Sequence, residues 1–148
     1  REAAFLWMIF LSAIVSITPC DERNTAVAAA LSPAAMALRT DLMAVRMRER
    51  SVELPEASID LAFICDVYHH FEYPRATLAT LHKALKPGGE LVLIDFKRIP
   101  GQTSDFIMGH VRAGQEVFEA EVIAAGFEKV SEVTDVLKEN YFVKFKRK

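Results

Sequence analysis

Asp66, Tyr68, His69 and His70 stand directly after the apolar run Ile59-Asp60-Leu61-Ala62-Phe63-Ile64-Cys65, in the stretch Cys-Asp-Val-Tyr-His-His-Phe-Glu-Tyr-Pro. Histidine titrates near neutrality, so an imidazole at a crevice could act as a general acid or base if a substrate proton comes within hydrogen-bond reach. Adjacent histidines usually diverge, and no second cluster in the chain supports these two, so no metal is expected here. The competing reading is packing: one ring sits under the following helix and the other lines a rim without doing chemistry. Both the catalytic reading of His69 and His70 and the packing reading stay open on the residues alone.

The elements around these residues read as α/β. Residues 59–65 and 90–96 are near-continuous apolar runs of strand length, the pattern of strands buried on both faces of a parallel sheet. Between them Pro74 opens a helix with Leu78, Leu81 and Leu85 as its apolar stripe, ending before Pro87-Gly88-Gly89. A strand-helix-strand unit makes the two strands parallel, so Asp66 and Asp95 end at one rim, where open sheets of this kind bind ligands. Lys97 and Arg98 follow; they could hold a carboxylate or belong to a solvated loop. Each aspartate could bind a polar ligand or cap its own loop. Asp60 begins its strand at the opposite end and is given a structural role. A second helix is expected over 115–125, with Phe118, Val122 and Ala125 on one face and Gly126 as its stop. Residues 127–133 and 140–146 then read as an antiparallel hairpin, Tyr141, Val143 and Phe145 alternating with Phe142 and Lys144.

The first third of the chain is different. Residues 3–20 carry no charge and suit a signal core, a membrane anchor or a buried helix. Residues 21–53 are rich in Ala, Met and Arg; Pro33 interrupts them and one helix is expected over 34–50. The chain begins at Arg1 rather than Met, which suits a fragment or a processed product. Localisation is accordingly cytoplasmic, or exported or membrane-anchored if 3–20 acts as signal or anchor. The net charge of −2 offers no field for a polyanion, so nucleic acid is not an expected partner, and the basic end Lys144-Phe145-Lys146-Arg147-Lys148 reads as a solvated tail. Cys20 and Cys65 make no disulfide framework and are read as reduced.

Residues 54–96, from Leu54-Pro55 through the acid-ended strand, the His-bearing loop, the amphipathic helix, Leu85-Lys86-Pro87-Gly88-Gly89 and the strand Glu90–Phe96, resemble the second half of the class I S-adenosylmethionine-dependent methyltransferases, types 11 and 25. The segment around Ala125-Gly126-Phe127 continues the likeness to about residue 145. The resemblance implies a partial Rossmann-like sheet: two parallel strands plus a C-terminal antiparallel hairpin with flanking helices, its N-terminal strands missing or degenerate. It implies methyl transfer from S-adenosylmethionine to a small-molecule acceptor. Cys65 and Asp66 would lie near the methionine end of the cofactor, and Tyr68, His69 and His70 would border the acceptor pocket, to which Asp95, Lys97 and Arg98 are added as candidates by their place at the rim. The family's glycine-rich turn after its first strand has no counterpart, since the first glycine in the chain is Gly88. An inactive, non-catalytic module, membrane-tethered or interacting, is the alternative. The first retained strand would expose an edge, and favour self-association, unless the N-terminal segment covers it.

Overall fold

The protein is described from a computed structural model covering the backbone of residues 8–11 and 43–46 and all of 48–148. In chain order its elements are β1 (Met8–Leu11), β2 (Met43–Arg46), β3 (Ile59–Cys65), a single 3-10 turn (Tyr68–His70), α1 (Pro74–Ala84), β4 (Leu85–Phe96), α2 (Asp105–His110), α3 (Gln115–Ala124), β5 (Phe127–Glu132) and β6 (Asn140–Arg147). The strands form one mixed sheet in the order β2-β1-β3-β4-β6-β5.

At its centre β3 and β4 run parallel, Leu61 opposite Glu90 through Cys65 opposite Ile94. β6 lies antiparallel on the far side of β4, and β5 pairs antiparallel with β6. Their side chains alternate between two cores, which is why the runs read as continuously apolar. Ala62, Ile64, Leu91, Leu93, Tyr141, Val143 and Phe145 face the larger core. Leu61, Phe63, Val92, Ile94 and Phe142 face the smaller one. Burying alternate residues on both faces removes apolar surface from water at about 25 cal/mol per Å2 and leaves no solvent face to mark with polar residues.

α1 adds Leu78 and Leu81 to the larger core, and α3 adds Phe118 and Val122. The expected helix stripe is one residue too long, because Leu85 turns extended (φ −67, ψ 141) and begins β4. Lys86 to Gly89 then bulge out of the β3–β4 pairing, the register shifting between Ile59 opposite Leu85 and Leu61 opposite Glu90. Gly88 adopts φ +75 there, and a Cβ on Gly89 would stand 3.0 Å from the carbonyl oxygens of Asp60 and Lys86, so both positions need glycine. At this end Asp60 pairs with Lys86 at 2.8 Å, the structural role expected for it.

β1 pairs antiparallel with β3, Phe10 opposite Phe63 and Leu11 opposite Ala62, so N-terminal backbone covers the edge that would otherwise be open. The helix expected over 34–50 does not form where it is described: Met43–Arg46 is a strand on β1, followed by a turn closed by an Arg48–Ser51 bridge. A hydrogen-bonded sheet partner outweighs the small intrinsic helix preference of Met, Ala and Arg. The rest of 3–20 and of 21–42 lies outside the described residues. Among the described residues no helix is long and apolar enough to cross a membrane.

Candidate functional site

The parallel pair delivers both aspartates to one edge. Asp66 follows Cys65, and its N–H donates to the Ile94 carbonyl at 2.9 Å, one residue before Asp95. Asp66 itself takes a left-handed conformation, φ +54, which aspartate tolerates better than most residues. Asn140 at the start of β6 donates through Nδ2 to Asp66 Oδ1 at 2.5 Å and holds it there. Cys65 is half-buried and packs against the smaller core.

Asp95 is fully buried, and the 3-10 turn is built onto it. Its Oδ2 accepts the His69 backbone N–H at 3.0 Å; its Oδ1 accepts the Phe96 N–H at 2.8 Å and meets His69 Nδ1 at 2.7 Å. A carboxylate can only accept, so the proton of the last bond sits on Nδ1. His69 Nε2, on the other side of the ring, is buried with no hydrogen-bond partner among the described residues.

The two adjacent rings do not diverge as expected. The tight 3-10 turn keeps His69 and His70 side by side, ring centroids 4.0 Å apart. A third imidazole, His110 at the end of α2, lies 5.1 Å from His69 and 4.7 Å from His70. Burial, then the neighbouring His69 and His110, hold the His70 imidazole below its usual range, against the opposing pull of Asp95.

His110 was not singled out from the sequence, and its position is set by Arg98. Ser104 caps the start of α2, accepting the Ile107 N–H at 3.4 Å, and the Arg98 guanidinium donates to the Met108 carbonyl at 3.1 Å near its end. Lys97 Nζ donates to the carbonyls of Leu137 and Lys138 at 3.1 and 3.3 Å, tying the end of β4 to the β5–β6 connection. Both cations, for which a ligand carboxylate or a solvated loop stood open, meet main-chain oxygens.

Tyr68, expected to border an acceptor, is placed in the larger core against Phe71 and Phe118. Its hydroxyl donates to Glu121 Oε2 at 2.8 Å, and burial, then that carboxylate, push its ionisation far up. Arg112 grips both Glu121 oxygens at 2.8 and 2.6 Å. Burial raises the Glu121 carboxyl, but the hydrogen bonds from Arg112 and Tyr68 outweigh it and the net shift is downward. Stability from Glu121 is therefore complete above the unfolded carboxyl pKa of about 4.3 and is lost as pH falls through the lower folded value. Tyr68→Phe should cost about 0.5 to 1.5 kcal/mol at neutral pH and make that acid loss shallower. Urea unfolding across the acid range checks it, and identical pH slopes for both proteins count against the arrangement.

The family model for the type 11 methyltransferase domain matches residues 6–93, and the chain belongs to that family. Among solved structures, a SAM-dependent methyltransferase from Aquifex aeolicus is similar at 20% identity and TM-score 0.61, covering 75% of this chain and 57% of that one. An S-adenosylmethionine-dependent methyltransferase from Mesorhizobium loti matches at 18% identity and TM-score 0.53, covering 79% and 77%. The [4+2]-cyclase SpnF matches at 13% identity and TM-score 0.57, covering 68% and 54%, so this fold also carries other chemistry. The chain spans little more than half the length of the first structures it matches. Comparison with curated proteins returns no match.

The described residues fit the family's cofactor only in part. Cys65 and Asp66 stand where a parallel strand ends at the rim. β1 runs antiparallel to β3; β2, antiparallel to β1, does arrive at that rim, but the turn after it, closed by the Arg48–Ser51 bridge, holds no glycine. No glycine precedes Gly88.

Proposed function

We propose that the chain serves S-adenosylmethionine-dependent methyl transfer to a small-molecule acceptor. The observation that carries this reading is the family match together with the parallel β3–β4 pair, which brings Asp66 and Asp95 to one edge. The donor, when bound, supplies an electrophilic methyl group. The chain's own work is positioning and, where the acceptor carries a proton, removing it. Asp66, held by Asn140, and Cys65 form the cofactor side of the rim. His70, half-buried beside the Asp95–His69 pair, is the proton acceptor, and His69 stands behind it. Asp95 orients His69; Arg98 and Lys97 hold the loops that frame the acceptor side.

A second reading is favoured by the lack of any glycine before Gly88 and by the antiparallel β1. It makes the chain a non-catalytic interaction module derived from a methyltransferase. Calorimetric titration with S-adenosylmethionine separates the two. A saturable heat, displaced by S-adenosylhomocysteine, is expected from the first reading; a flat trace at millimolar donor overturns it in favour of the second.

A further inference from the structure

We propose that His69, His70 and His110 form a binding site for a divalent transition-metal ion of the zinc type, with Asp95 as its outer partner. One ligand atom from each ring lies within 4.8 Å of the others. Zinc–imidazole bonds of about 2.0 to 2.1 Å require nitrogens about 3.3 Å apart in a tetrahedral site, so the rings must close by up to about 1.5 Å. His110 is exposed and His70 half-buried, which places the two rings that must move at the surface. His69 is the fixed member, its side chain 1% exposed and anchored by Asp95.

The hydrogen bonding of His69 is that of a ligand. Asp95 occupies Nδ1, and Nε2 is buried with no hydrogen-bond partner among the described residues, free to meet an ion. A carboxylate hydrogen-bonded to the far nitrogen of a metal-binding histidine fixes its tautomer and orientation and raises its basicity. Three nitrogen donors select zinc, copper, iron or nickel over the oxygen-seeking magnesium and calcium. Three protein ligands also leave a fourth position for water or for a small oxygen or sulfur donor. With the ion bound, the imidazoles are ligands rather than bases, and coordination lowers the pKa of whatever holds the fourth position.

This site does not rest on methyl transfer. The test uses the full chain without a histidine tag, stripped with chelator and titrated with Zn2+ against a chromophoric competitor. One ion per chain is expected. His110→Ala, at the surface, and His70→Ala should each weaken binding by more than about 100-fold, the upper end of what an outer partner contributes. Asp95→Asn should weaken it by about 10- to 100-fold, and His82→Ala, which removes the remaining histidine of the chain, should leave it unchanged. Co2+ bound in place of zinc should give the strong visible absorption of a tetrahedral site, lost in His110→Ala. Absence of a stoichiometric ion, or zinc affinity unchanged by His110→Ala in a protein with native circular dichroism, overturns the proposal.

Discussion

Replacing Asp95 by alanine should lower the free energy of unfolding by about 3 kcal/mol or more, since each buried donor left without its acceptor costs about 1 to 3 kcal/mol. Three groups lose their acceptor at once: the backbone N–H of His69, its Nδ1–H, and the N–H of Phe96. The carboxylate is fully buried, so water cannot take its place without opening the rim. Asp95→Asn keeps the shape but turns one oxygen into a donor, and should cost about 1 to 3 kcal/mol. Urea unfolding followed by far-UV circular dichroism would read both variants. An alanine variant within 1 kcal/mol of the parent means that the 3-10 turn is not built on Asp95. Losses of stability and of zinc affinity should rank alike, because the same bonds that hold the turn orient the imidazole.

Phe118→Ala should cost a similar amount, about 3 to 5 kcal/mol, for a different reason. Phe118 is fully buried, meets Tyr68 edge-on with centroids 5.1 Å apart, and lies under the Arg112 guanidinium at 4.4 Å. Truncation leaves a cavity between α3 and the sheet and takes away the surface against which the Tyr68–Glu121–Arg112 cluster rests. The midpoint in urea should fall while the slope stays constant, as for a change in stability without a change in unfolding area. Phe106→Ala is the control. That ring is 72% exposed, and its loss should stay within about 0.5 kcal/mol of the parent. Equal effects from Phe118 and Phe106 would contradict the placement of the core.

The central sheet was legible because its signals are local. Residues 59–65 and 90–96 are apolar over a strand length, and Pro74 and Gly126 punctuate helices at positions the structure keeps. Even the alternation along β6 survives, with Tyr141, Val143 and Phe145 in one core and Phe142 in the other. β2 was not legible, because Met, Ala and Arg suit a helix and only pairing with β1 makes them a strand. At the rim, residue types named the candidates but not their geometry. Tyr68 reads like a pocket residue beside two histidines, yet Glu121, 53 positions away, takes its hydroxyl inward.

By itself the sequence determined the strand-helix-strand unit, with its C-terminal hairpin and the meeting of Asp66 and Asp95 at one edge, while its ordered motifs carried the resemblance to the family. The elements follow from periodicity and punctuation within short windows, where each residue's neighbours are known. Only the tertiary structure decided that Asp95 turns inward to hold His69 and that Arg98 pins a short helix. Packing alone, likewise, brought His110 across 40 residues of chain to two other imidazoles. Contacts of that kind depend on how separate elements dock, and docking is set by the summed burial of both cores rather than by any spacing along the chain.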